Sequence, residues 1–145
     1  MCGIVGLFLK DKKLEPDLGT LLTDMLITMT DRGPDSAGIA IYGHDTKKHG
    51  KLTIQSDNPT VDFATLDDDL SKALGCSVSL FAKDTHAVLH MPATSMEAAR
   101  NKIGTINPAI RIMSAGDTIE IYKEVGLPRD VARRFQIGTM AGSHG

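Results

Sequence analysis

Met1-Cys2-Gly3-Ile4-Val5-Gly6-Leu7-Phe8-Leu9 opens the chain, and its reading decides the fold. From Gly3 to Leu9 the run is almost wholly apolar, the pattern of a strand covered on both faces, as in the core of a sandwich. Cys2 stands at the head of that strand. Removal of Met1 would leave one residue carrying both a thiol and a free α-amine. A thiol attacks best as thiolate, with an unperturbed pKa of about 8.5. An α-amine titrates at about 7.7–8.0 and so can accept a proton near neutral pH. Nucleophile and general base would then sit on the same residue. Gly3 and Gly6 bracket the strand start, where glycine lets backbone or ligand come close. The plain alternative is an ordinary second-position thiol.

Outward from that strand, Asp11-Lys12-Lys13 marks a turn and a helix is expected from Pro16 or Asp17 to Thr30. Leu18, Leu21, Leu22, Met25, Leu26 and Met29 recur at three- and four-residue steps and make one apolar stripe. Pro16 is tolerated in a first turn. Asp31-Arg32-Gly33-Pro34-Asp35-Ser36-Ala37-Gly38 follows, and Gly33-Pro34 ends the helix because the residue before proline is pushed out of the α region. Ile39 to Tyr42 reads as a second buried strand. This layout brings the loop and the chain start to neighbouring strand ends.

Beyond Gly43 the character changes. His44 to Gly50 reads as a polar hairpin-like turn, Leu52 to Gln55 as a strand, and Asp57-Asn58-Pro59-Thr60 as the start of a helix running to about Leu74. Cys76 to Ala82 and His86 to Met91 read as a strand pair around Lys83-Asp84. Ser95 to Lys102 reads as a helix with Ser95 as its cap. Ile110 to Met113 and Thr118 to Tyr122 read as a hairpin around Gly116-Asp117, and Pro128 to Phe135 as a short helix. The expected division is residues 1–43, an inserted α+β segment 44–136, and a returning strand begun in 137–145. The last eight residues, Gly138 to Gly145, read as a sequence interrupted on entering a new element, with a flexible natural tail as the alternative.

Composition narrows the function. A net charge of −2 supplies no field for nucleic acid or an anionic membrane surface. No apolar run approaches the roughly 20 residues that span a bilayer, and the lysines follow the first apolar run instead of preceding it, against a signal peptide. Two cysteines, Cys2 and Cys76, favour a reducing cytoplasm over a disulfide framework; Cys76 reads as a buried structural thiol. No metal site or cofactor is expected. His86 and His90 on a strand would stand about 13 Å apart, and they read as two partly exposed strand histidines. Asp67-Asp68-Asp69 reads as a solvated face.

Met1 to Gly6 together with Asp31 to Gly38, about thirty residues apart at the very N-terminus, resembles the class II glutamine amidotransferases, which are N-terminal-nucleophile enzymes. The resemblance covers about the first 43 residues and extends to the closing segment. Within the family the wording is most similar to stand-alone amidotransferase subunits related to glutamate synthase, that of N-methylglutamate synthase among them. It implies an α+β fold, an αββα sandwich of mainly antiparallel sheets, of which this chain supplies part. It implies that Cys2 attacks the side-chain amide of glutamine, giving a γ-glutamyl thioester and ammonia. Arg32 and Gly33 match the loop beside the nucleophile, with Arg32 as a positioning residue; a surface cation at the helix end is its other reading. The ammonia would pass to a synthase subunit or downstream domain. Neither nucleic acid nor membrane is implied as a partner. The family's Gly-His-Thr-Arg-like segment, Asn-Gly oxyanion pair and later aspartate have no match: Asn101 precedes Lys102 and Asn107 precedes Pro108. Losing one oxyanion donor alone costs about 10²–10³ in rate. These 145 residues are therefore expected to be nearly inactive alone. Two other readings stay open: an N-terminal-nucleophile hydrolase of a different amide, and a non-catalytic module that binds a ligand or partner.

Overall fold

A computed structural model describes residues 2–44 and 48–145. The chain is α+β and divides into two compact units, Met1–His44 with Ile121–Gly145, and Asp45–Glu120. Among the described residues no helix is long and apolar enough to cross a membrane.

The first unit is organised by one helix. A 3-10 turn at Lys12–Asp17, opened by Asp11, whose carboxylate accepts from Lys13 N–H at 3.0 Å, feeds α1 (Leu18–Thr28). Leu18 and Leu22 of the expected stripe are fully buried, while Met25, Leu26 and Met29 are only half-buried. A second 3-10 turn, Thr30–Arg32, ends at Gly33, where the Gly-Pro step breaks the helical path. Strand β1 (Ser36–Tyr42) follows and pairs with β6 (Ile119–Val125). Helix α5 (Pro128–Arg134) packs Val131, Ala132 and Phe135 inward, with Phe135 5.3 Å from the Tyr122 ring. The residues from Ile137 make a 3-10 turn, Ile137–Thr139, and then run extended.

The apolar opening departs from expectation. Gly3 to Leu9 is extended but forms only an isolated bridge, Phe8 to His144, instead of a ladder. It is not covered on both faces: Ile4 is 94% exposed and Phe8 67%, and only Leu9 is buried. The physical reason is the sheet around it. The described residues lay few neighbours beside this segment, so the apolar side chains that would be sandwiched stand open.

The second unit runs β2 (His49–Gln55), a one-turn helix α2 (Pro59–Asp62), α3 (Leu66–Leu74), β3 (Ser79–Lys83), β4 (His86–Pro92), α4 (Met96–Ile106) and β5 (Arg111–Gly116). The strands lie in the order β3-β4-β2-β5, and every neighbouring pair is antiparallel. With α3 and α4 as the two connecting helices, this is a βαββαβ unit of ferredoxin-like topology. Alternate strand residues face the helices: Leu52, Ile54, Ala87, Leu89 and Met91 meet Leu66, Leu70, Ala99 and Ile103 in one core. Gly75 ends α3 at φ 66, a left-handed conformation that glycine adopts without penalty.

Several local expectations are corrected here. The helix expected to start at Asp57-Asn58-Pro59-Thr60 and run to about Leu74 is broken into α2 and α3 around Phe63–Thr65. Ser95 makes no side-chain capping bond; its hydroxyl lies 3.5 Å from Cys76 Sγ, and the Cys76 thiol is half-buried at the core edge. His86 is fully buried, while His90 is half-buried. The two strands around Gly116-Asp117 are not a hairpin, because β5 pairs with β2 and β6 with β1. Part of the turn expected over His44 to Gly50 lies outside the described residues, and His49 and Gly50 already belong to β2.

Candidate active site

Cys2 and the Gly33–Gly38 loop, distant in sequence, line the same cavity of about 230 Å³ in the first unit. Cys2 and Gly3 of the chain start and Gly33, Pro34, Asp35 and Ser36 of the loop are among its lining residues. Leu26 of α1 and Met29 just past its end add apolar lining, as does Pro128 at the start of α5. The Cys2 thiol is free and exposed.

Local sequence accounts for this juxtaposition. The 3-10 turn at Thr30–Arg32 reverses the chain, with Arg32 N–H donating to Met29 O at 2.9 Å and Gly33 N–H to Thr30 O at 3.2 Å. Gly3 passes directly over that turn. A Cβ there would overlap the Met29 methyl and come within 3.2 Å of Arg32 Cβ, so glycine is what lets the N-terminal segment lie against the helix end. Arg32 therefore stacks its stem beside Gly3, while its side chain as a whole is exposed. Gly33 lines the cavity itself. On the far side of the loop, Asp35 O accepts from Gly126 N–H at 2.9 Å, which ties it to the end of β6.

The cavity offers a thiol, one carboxylate, one hydroxyl and backbone groups against an apolar wall. Such a set places a nucleophilic sulfur beside polar and apolar surfaces. Among the described residues, the lining contains no cationic side chain. Met29 and Leu26 are residues whose site role the helical stripe concealed, since at helical spacing they read as core. Pro128 gave no sequence signal for the site.

Comparison with known proteins bears on this site. The chain is 59% identical, over all of its 145 residues, to a "Glutamine amidotransferase-like protein GlxB" of Rhizobium meliloti, of which it covers 48%. It is 28% identical, over 99% of its length, to a "Putative glutamine amidotransferase" of Methanothermobacter thermautotrophicus, of which it covers 50%. The chain thus spans about half the length of the curated relatives it matches. No family model matches it, and no solved structure matches it. Its relatives carry glutamine amidotransferase names, and that likeness extends over the whole of this chain.

Proposed function

We propose that this chain is the N-terminal portion of a class II glutamine amidotransferase, with Cys2, freed by removal of Met1, as the nucleophile. The observation that carries the reading is the meeting of Cys2 with Gly33–Gly38 at one cavity. The names of the two relatives support it. In this reading the two motifs belong to an N-terminal-nucleophile sandwich into which the βαββαβ unit is inserted.

The chemistry follows from the groups present. The Cys2 sulfur adds to the side-chain amide carbon of glutamine. The residue's own α-amine takes the thiol proton and delivers it, through a water, to the departing nitrogen. Ammonia leaves and a γ-glutamyl thioester remains. Water then adds to the thioester carbon, glutamate departs and the thiol is restored. Arg32 and Gly33 act as positioning residues that fix the N-terminal segment over the turn, and Gly33 keeps the cavity mouth open. Ammonia is largely protonated at neutral pH, so transfer to a synthase subunit or a downstream domain calls for a sheltered path. A cytoplasmic setting suits the free thiol.

The test is labelling of the protein from its native source with a glutamine analogue that carries an electrophilic diazoketone. The expected result is a polypeptide lacking Met1, one adduct on Cys2, protection by glutamine, and no glutamine hydrolysis in Cys2→Ala. Retention of Met1, or labelling of Cys76 instead, overturns the reading.

A further inference from the structure

The sheet of the second unit has two edges, β3 on one side and β5 on the other. They are built differently. β5 carries a bulge: Thr53 of β2 stands against Ser114 and Ile54 against Ile112, so Met113 has no partner of its own in β2. It also opens on Arg111, ion-paired to Asp57 at 2.5 Å. A bulge and a charge are devices that keep an edge from pairing further. β3 has neither over most of its length. Its register with β4 is unbroken, from Ser79 against His90 to Lys83 against His86. Ser79 to Ala82 holds no proline and no charge. Phe81 is 53% exposed, and Ala82 beside it is exposed too. Among the described residues no strand pairs with the outer side of β3.

We propose that this outer edge pairs with β3 of a second copy of the chain, antiparallel and centred on Phe81. The hairpin fixes which backbone groups are free to do so. Asp84 and Thr85 form a two-residue loop between β3 and β4, with Asp84 at φ 54. The residues that flank such a loop exchange both hydrogen bonds, and the exchange recurs at every second pair. Lys83, Phe81 and Ser79 therefore turn their peptide groups to β4. Leu80 and Ala82 turn theirs outward, as a template for an added strand.

The edge is complementary to itself in one register. With Phe81 opposite Phe81, Leu80 of each copy stands opposite Ala82 of the other. Those are the residues with outward peptide groups, so the two pairs exchange four hydrogen bonds. Phe81 falls on the non-hydrogen-bonded site between them, where Cα atoms approach to about 4.5 Å and side chains are closest. Each Phe81 ring already has the His90 ring of its own copy at 4.9 Å, so four rings meet across the two-fold axis. On the other face Leu80, half-buried against the core, gains cover from the small Ala82 of the second copy. A slip of one residue would set outward peptide groups against inward ones. A slip of two would set Phe81 against Ser79 or Lys83 and lose the aromatic pair. This self-match, in which each contact is repeated by symmetry, is what selects a second copy as the occupant. The 5 residues of β3 are far fewer than the about 20–30 a side of a standard interface, so the dimer forms in proportion to concentration. Nothing in it depends on the chemistry at Cys2.

The experiment joins sedimentation velocity of the full-length protein, from about 1 μM to about 1 mM, with disulfide trapping in air. The parent is expected to pass from monomer to dimer over that range. Phe81→Lys is expected to weaken the dimer at least tenfold, because it sets two like charges directly opposite each other. Phe81→Cys is expected to give a dimer with a disulfide mapped to position 81 of both copies, since opposed residues fall within the Cα separation of about 4.4–6.8 Å that a disulfide needs. Ala82→Cys is expected to give no link at position 82, because in this register the two copies of that position lie diagonally, beyond about 7 Å. Both positions are exposed, so these changes leave the core intact. A parent that stays monomeric at every concentration overturns the proposal. So does a dimer that Phe81→Lys leaves unchanged, or linkage at position 82 as strong as at position 81.

Discussion

The imidazole of His144 lies flat on the Tyr42 ring, with centroids 4.1 Å apart and planes 12° apart, while its other side meets the Phe8 ring at 5.5 Å. Three rings therefore cross three extended segments and link the chain start, β1 and the chain end. Hydrogen bonds alone would leave these short segments marginal, because few residues pair.

Removing the central ring loosens all three segments. His144→Ala is expected to cost about 1 kcal/mol, the order of one aromatic pair, and to speed hydrogen exchange at Leu7 and Leu9. His144→Phe retains the stack and is expected to keep most of the stability. Urea unfolding of the two variants checks both statements.

Gly19 and Gly104 are both helical glycines, yet substitution is expected to act in opposite directions. Gly19 N–H donates to Met140 O at 2.9 Å, and a Cβ would collide with Ile137 O and come within 2.7 Å of Met140 O. Both obstacles are backbone and cannot swing aside. Gly19→Ala is expected to lose about 2–3 kcal/mol as overpacking. Gly104, in α4, has open space where a Cβ would go. Gly104→Ala is expected to gain about 0.5–1 kcal/mol from helix propensity. Thermal unfolding of the pair reads the sign of each.

Asp62 joins two polar groups of the second unit. It accepts from the fully buried Ser56 hydroxyl and from Asn107 Nδ2, the latter at 2.8 Å. Asp62→Ala strips both donors of their acceptor and is expected to cost about 2 kcal/mol. Asp62→Asn retains one acceptor oxygen and is expected to cost less. Equal urea midpoints for the alanine variant and the parent chain would contradict this.

Much of the second unit was legible because its apolar runs are short and bounded by turn residues. Leu52 to Gln55, Cys76 to Ala82 and His86 to Met91 read as strands and Ser95 to Lys102 as a helix, and a strand or helix stands at each place. Strand partners were harder. Gly116-Asp117 between two apolar runs carries a local turn signal, but a turn does not decide which edge each run joins, and β5 and β6 went to different sheets. In the first unit, the apolar run Gly3–Leu9 records what the segment is suited to lie between, not what lies beside it, so its exposure was unreadable. The approach of Cys2 to Gly33–Gly38 was legible from the strand–helix–loop layout, because a glycine at position 3 and a helix ending at Gly33-Pro34 permit it. The wall residues Leu26 and Met29 were not, since core and cavity lining share one helical period.

His90 gives the second unit a pH dependence. It pairs across the sheet with Lys51, and its ring is 4.9 Å from that of Phe81. Burial lowers its pKa below the usual 6.5, the Lys51 and His49 charges lower it further, and Glu120, ion-paired to Lys51 at 2.8 Å, pulls the other way. Lys83 also lies near Glu120, and its pKa too is lowered, chiefly by burial. The folded histidine thus binds its proton less readily than the unfolded one. Stability is full above the unfolded pKa and is lost as pH falls through 6.5 toward the lower folded value. His90 is partly exposed, so solvent screening keeps the loss small. Urea unfolding of the parent chain and of His90→Gln between pH 5 and 7.5 isolates the effect, because the other histidines cancel in the difference. The parent is expected to lose more stability than the variant on acidification; parallel curves would remove His90 as the cause.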